Sequence, residues 1–100
     1  MSVPDEIIHQ SLRLKIMAAL YAERQGAPLE FNRLKAIAQA TDGNLGSHLS
    51  TLEKAGYVSI AKDFVGKKPR TQVAITPAGS RAFRGHVDYL RDVLEAAGPS

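Results

Sequence analysis

Apolar residues recur at helical spacing along two stripes near the start of the chain, between Asp5 and Glu23. Pro4 followed by acidic residues is typical of a helix start, so we predict a first helix over residues 5–23. Apolar residues on two stripes favour a helix with more than one packing partner. The stripes hold Ile8, Leu12, Ile16 and Leu20 on one side, and Ile7, Leu14, Met17 and Tyr21 on the other.

The helical pattern ends at a segment containing glycine and proline, residues 25–28, and residues 29–31 favour a very short strand. Asn32 is suited to cap a second helix over residues 33–39, with Ile37 facing inward. The connection to the next helix is only two residues long.

The third predicted helix spans residues 42–55 and has clear boundaries at both ends. Thr41 is an N-cap residue, and Gly56 is typical of the residue that ends a helix. Leu45, Leu49 and Leu52 fall at i, i+4 and i+7, so they form one buried stripe.

Beyond this helix the apolar period changes from 3.6 to 2, which predicts a β-hairpin over residues 57–75 with a turn at residues 65–70. Val58, Ile60 and Phe64 share the predicted inner face. Thr76 followed by Pro77 then starts a last helix over residues 77–97. Its apolar residues Phe83, Val87, Leu90 and Leu94 keep a spacing near 3.5.

Two short helices joined tightly and followed by a hairpin form the winged helix-turn-helix arrangement, mainly α with a small β-hairpin. The chain resembles the small winged-helix transcriptional regulators of the MarR/ArsR grouping. The similarity extends from about Ile7 to Leu94, and the residues that carry it are 41–45 with 48–49, 52–58, 64–71 and 75–79.

The resemblance implies a homodimer that binds double-stranded DNA. Because the chain shows no leader-like start and no apolar run near 18 residues, we expect it to be cytoplasmic. The helix at residues 42–55 would lie in the major groove, and the hairpin would be the wing that contacts the backbone or the minor groove. The long first and last helices would form the dimer interface, for which we select Ile8, Leu12, Ile16, Tyr89, Leu90, Val93 and Leu94. Gly46 departs from the pattern, since family members often carry a small polar residue there.

The outer face of the third helix carries no charge and is rich in hydrogen-bonding groups. Small polar side chains of this kind suit a helix that must reach base edges, whereas a merely solvated helix more often carries Lys and Glu. The candidate base contacts are Asn44, Ser47, His48 and Thr51. Asp42 is expected to favour the positive helix end rather than to read a base.

Basic residues concentrate on the wing between Lys62 and Arg70, where four cations oppose Asp63. This excess equals the formal net charge of the whole chain, +3. Such residues can neutralise phosphates and release counterions, although lysines also protect the edges of ordinary hairpins. The candidate backbone contacts are Arg33, Lys35, Lys54, Lys62, Lys67, Lys68 and Arg70.

Other classes of function find little support in the 100 residues, which suit one domain. The chain has no cysteine, so thiolate metal sensing is excluded. His9, His48 and His86 lack metal-site spacing, and we expect His9 and His86 at the surface or an interface. No catalytic residue, cofactor or membrane segment is predicted.

Two alternatives remain open from the sequence. Some winged helices bind other proteins and never contact DNA, so a protein-interaction module is the first. The second is a regulator that also responds to a small-molecule effector held near the dimer helices. Neither the operator nor the sign of regulation follows from the residues.

Overall fold

The computed structural model describes residues 3–98, and within them four α-helices accompany a three-stranded antiparallel sheet. The helices are α1 (Ser11–Tyr21), α2 (Phe31–Ala38), α3 (Asp42–Lys54) and α4 (Pro77–Ala96), with a short 3₁₀ turn at Arg24–Gly26. The strands are β1 (Leu29–Glu30), β2 (Val58–Val65) and β3 (Lys68–Ile75), in the sheet order β1-β3-β2. This arrangement confirms the predicted winged helix-turn-helix fold.

The first helix is shorter than predicted because two side chains cap the backbone in succession. The Asp5 carboxylate accepts hydrogen bonds from the backbone N–H groups of Ile7 and Ile8, both at 2.8 Å. The Gln10 side chain then caps α1 by accepting from the N–H groups two and three residues further on. The prediction of one helix from residue 5 is therefore wrong, since α1 begins at Ser11.

Asp5 also anchors the N-terminal segment to distant parts of the fold. The Tyr57 hydroxyl donates to the Asp5 carboxylate at 2.7 Å. The backbone N–H of Asp5 donates to Nδ1 of His86 at 3.1 Å. Burial, with the hydrogen bond to Asp5 and the charge of Asp5, raises the pKa of Tyr57 to about 12. His86 is buried in the chain itself, which corrects its expected place at the surface or an interface.

The hydrophobic core confirms the predicted inner face of α3 and corrects part of the predicted dimer interface. Leu45, Leu49 and Leu52 are all buried. Ile8 and Ile16 are also buried, at 0% exposure, so the folded chain does not present them to a partner. For Ile16 the reason is that α1 contacts α2, α3, α4 and β3, which cover its apolar residues within the chain. Ile8 precedes α1 and belongs to the same hydrophobic core.

The second helix differs from its prediction at the start and on its apolar face. It begins at Phe31, directly after β1, so Asn32 lies inside the helix instead of capping it. Ile37 remains 47% exposed rather than facing inward. Gln39 ends the helix in the left-handed conformation, with φ of 54°, and this allows the tight turn into α3.

The end of α3 and the start of α4 are joined through Thr76. Its hydroxyl donates to the Gly56 carbonyl oxygen at 2.6 Å and accepts from the Gly79 N–H at 2.9 Å. A Cβ at Gly79 would overlap the backbone carbonyl of Tyr57, so only glycine permits this approach. Thr76 therefore caps α4, as predicted, and also sets its position against α3 and the sheet.

Candidate nucleic-acid interface

The outer side of α3 presents small polar groups to solvent, as predicted. Thr41 caps the helix by accepting from the Asn44 N–H at 3.1 Å. Asn44 and Ser47 are exposed, and Thr51 is half-buried with its hydroxyl donating to the Ser47 carbonyl oxygen. Ser50 is exposed on the same helix and was absent from the predicted contacts.

His48 is less free than its neighbours on α3. Arg13 reaches across from α1, and its Nε atom donates to Nδ1 of His48 at 3.1 Å. The same guanidinium donates through Nη1 to the Ile7 carbonyl oxygen at 3.0 Å. Arg13 is not among the predicted contacts, because two residues 35 positions apart carry no local signal of contact.

The two cations of α2 differ, because within residues 3–98 Lys35 has a carboxylate partner and Arg33 has none. Lys35 Nζ lies 2.7 Å from the Asp42 carboxylate, so Asp42 neutralises a candidate phosphate contact and links α2 to α3. Arg33 and, on α3, Lys54 are exposed. The two latter side chains are therefore available to a charged partner.

The wing is a regular hairpin with a tighter turn than predicted. Val65 pairs with Lys68, so only Gly66 and Lys67 form the loop. Gly66 has a φ of 63° and Lys67 has no positive φ, the combination found in a two-residue type II′ turn. The predicted turn at residues 65–70 is wrong because the strands continue pairing almost to the tip.

One of the four wing cations is neutralised within the hairpin. Asp63 and Arg70 face each other across β2 and β3, with two hydrogen bonds of 2.9 and 2.7 Å. The Arg70 hydrogen bonds, with its charge, lower the pKa of Asp63. Lys62, Lys67 and Lys68 stay exposed, so these three ammonium groups carry the accessible positive charge of the wing.

Near the tip of the wing, Phe64 is exposed although it shares the predicted inner face. Val58 is buried and Ile60 is half-buried, but Phe64 is 70% exposed and Val65 is 57% exposed. The strands extend past the body of the protein, so a residue on the inner face finds no core beneath it near the tip. Period-two alternation locates the face but not the point at which the core ends.

A shallow groove places the base of the wing beside the third helix. Gly46 and Leu49 of α3 line one side, and Ile60, Lys62 and Thr71 of the hairpin line the other. A Cβ at Gly46 would meet no atom within 4 Å, so the missing side chain leaves open space at this groove. Lys62 therefore lies next to the helix whose polar face is the candidate reading surface.

The remaining dimer candidates lie on or beside α4. Leu12, Tyr89 and Leu90 are half-buried, whereas Val93 is 48% exposed and Leu94 is 72% exposed. The last turns of α4 extend beyond the core, so apolar side chains remain uncovered there.

Over residues 3–98, no cluster of three or more His, Cys, Asp or Glu side chains is arranged to hold a metal ion. No helix in the same part of the chain has the length and apolar character needed to cross a membrane.

Comparison with known proteins agrees with the winged helix fold described above. The family model described as a winged helix DNA-binding domain matches residues 12–94. The uncharacterized protein MJ0432 of Methanocaldococcus jannaschii is 37% identical over 90 residues, which cover 90% of this chain and 91% of that protein.

Solved structures that resemble this fold include two regulators or their homologues. A transcriptional regulator homologue from Pyrococcus horikoshii OT3 superposes with a TM-score of 0.84 at 29% identity, covering 95% of this chain and 91% of that one. NadR in complex with 4-hydroxyphenylacetate gives a TM-score of 0.65 at 23% identity, covering 91% of this chain and 67% of NadR. At that identity the likeness to NadR concerns the fold alone.

Proposed function

The chain belongs to the winged helix DNA-binding domain family, and we propose that it is a homodimeric transcription regulator that reads duplex DNA with α3. The observation that carries the proposal is the uncharged polar face of α3, which the chain leaves uncovered, beside a wing with three exposed lysines. Regulation by occluding a promoter is the simplest mode for a domain of this size.

The major groove of B-DNA, about 12 Å wide, admits one α-helix. Asn44 presents an amide that can pair bidentately with adenine, and Ser47 and Thr51 can pair with several bases. These side chains would supply sequence preference, whereas lysines on phosphates would supply affinity without sequence information.

Lys67 and Lys68 lie at the tip of the wing, and no carboxylate within residues 3–98 pairs with them. Each phosphate that they neutralise releases condensed counterions, so binding should weaken as salt rises. Arg33 and Lys54 are further backbone contacts in this proposal. Lys35 and Arg70 would contribute less, because each already has a carboxylate partner.

The proposed dimer uses the uncovered apolar residues of α4, with Leu94 the most exposed of the candidates. A two-fold axis there would present two copies of α3 about 34 Å apart, one turn of duplex. Such a dimer would read an imperfect palindrome. In a prokaryotic cell it would be located in the cytoplasm, where the genome lies.

The test is a fluorescence titration of purified protein with a duplex selected from a random library and with an unselected duplex, over a range of salt. The double variant Lys67→Ala, Lys68→Ala should weaken binding to both duplexes and flatten the slope of log K against log salt by up to about 1.8, since each contact contributes about 0.9. Asn44→Ala should weaken only the selected duplex.

Wild-type protein that binds neither duplex at low salt would refute the proposal in favour of a protein-interaction module. An unchanged salt slope in the lysine variant would remove the wing from the interface. Equal loss on both duplexes for Asn44→Ala would show that this amide does not read a base.

A further inference from the structure

The contact between Arg13 and His48 fixes the chemistry of one reading side chain. Arg13 is held at two points, since Nε donates to His48 at 3.1 Å and Nη1 donates to the Ile7 carbonyl oxygen at 3.0 Å. Both side chains are half-buried at the junction of α1 and α3. The guanidinium therefore reaches the imidazole in a defined direction.

A guanidinium has five N–H donors and no acceptor. The Nδ1 atom of His48 must therefore accept with its lone pair, because a hydrogen on Nδ1 would point at a hydrogen of Arg13. In a neutral imidazole only one nitrogen carries the proton, which leaves that proton on Nε2. The second nitrogen of His48 is thereby a hydrogen-bond donor and not an acceptor.

We propose that Arg13 is a positioning residue that holds His48 as an Nε2–H donor toward the major groove. In that state His48 selects base acceptors, such as N7 and O6 of guanine, and disfavours the amino donors of adenine N6 and cytosine N4. The inference rests on the proposed placement of α3 in the groove. It adds a specificity determinant that lies on α1, outside the reading helix.

The first measurement needs no DNA. Long-range ¹H–¹⁵N correlation spectra of the full chain labelled with ¹⁵N-histidine report which ring nitrogen carries the proton, at a mildly alkaline pH at which free imidazole is neutral. The His48 signals are identified by their loss in His48→Ala. We expect a single Nε2–H tautomer in the wild type, with the Nδ1–H form appearing in Arg13→Met.

The second measurement is a double-mutant cycle on the selected duplex. His48→Ala should lower affinity about 3- to 10-fold, the usual range for one hydrogen bond. The matched control for Arg13→Met is Lys15→Met, which removes one cation from an exposed position of the same helix. Arg13→Met should lose more affinity than Lys15→Met, and the excess should vanish in the His48→Ala background.

Several outcomes would overturn the inference. A proton on Nδ1 of His48 in the wild type would do so, as would an excess loss that persists without His48. Wild-type protein that binds no duplex would instead overturn the proposed function and the role of His48 on DNA with it, while the spectra still report the tautomer. Thermal unfolding checks each variant. Arg13→Lys replaces Arg13→Met if the latter does not fold, because an ammonium lacks the fixed spacing between the Nε and Nη1 donors that reaches His48 and the Ile7 carbonyl.

Discussion

At the residue scale, the lack of a side chain at Gly79 allows the start of α4 to approach the backbone carbonyl of Tyr57 closely. Gly79→Ala should destabilise the protein by about 1–3 kcal/mol, because the new methyl group would overlap the Tyr57 carbonyl and force the backbone apart. Chemical denaturation with urea measures the change.

The control is Gly85→Ala on the same helix, where a Cβ meets nothing within 4 Å. That change should stabilise the protein by about 0.5–1 kcal/mol, since alanine loses less backbone entropy in a helix. Equal effects of the two substitutions would show that the contact at Tyr57 is unimportant.

His86 gives a second residue-scale prediction, on pH. Desolvation lowers its pKa, against the opposing charge of Asp5 and with a smaller contribution from His9 in the same direction. As pH falls below the ordinary imidazole value of about 6.5, the unfolded chain takes up a proton that the folded chain resists. The contribution of His86 to the free energy of unfolding is fully present above this value and is therefore lost as the pH falls.

The measurement is the free energy of unfolding between about pH 7 and pH 5. His86→Gln, which does not titrate and keeps an acceptor for the Asp5 N–H, should lose less stability over this range than the wild type. The control is His9→Gln, which we expect to reduce the loss less than His86→Gln does, because His9 is exposed and makes the smallest contribution to the shift at His86. If the free energy of unfolding changed with pH in the same way for the wild type and His86→Gln, the pH dependence could not be assigned to His86.

At the element scale, one carboxylate of the wing neutralises one of its cations. Asp63 holds Arg70 in a bidentate pair, so Asp63→Asn should release the guanidinium toward DNA. We expect tighter binding to any duplex at low salt and a salt slope steeper by up to about 0.9.

The control is Asp88→Asn on α4, which changes the net charge equally and releases Arg91 from a 3.8 Å ion pair away from the wing. If both variants tighten binding to the same extent, net charge alone explains the effect, and the hairpin is not a specific contact.

At the scale of the whole molecule, the fold is elongated rather than spherical, with principal extents of 55 × 25 × 23 Å. Its radius of gyration of 14.7 Å exceeds the value of about 13 Å usual for 100 residues. The wing tip and the last turns of α4 extend beyond the core and carry exposed apolar residues such as Phe64 and Leu94. We expect the projecting end of α4 to be covered by a second copy.

Leu94→Glu should therefore convert a dimer into a monomer in sedimentation equilibrium, without changing helix content by circular dichroism, because this side chain is already 72% exposed. Ile37→Glu on α2 is the matched control, at 47% exposure on another face. A wild type that is monomeric at all concentrations, or a dimer that tolerates Leu94→Glu, would rule out this interface.

The helix-turn-helix was predictable because its signals are local. Thr41, the leucine stripe of α3 and Gly56 act within one or two turns, so residue type and spacing define the helix without reference to the rest of the chain. The polar outer face follows from the same periodicity, and the candidate reading surface was visible for this reason.

Relations between distant residues needed the folded chain. Periodicity shows two apolar stripes over residues 5–23, but not that Ile8 and Ile16 are buried in the protein's own core. The pairing of Arg13 with His48 spans 35 positions, and the contacts of Asp5 span 52 and 81. Such contacts depend on where whole elements pack, and packing is a collective result of burial that no short segment encodes.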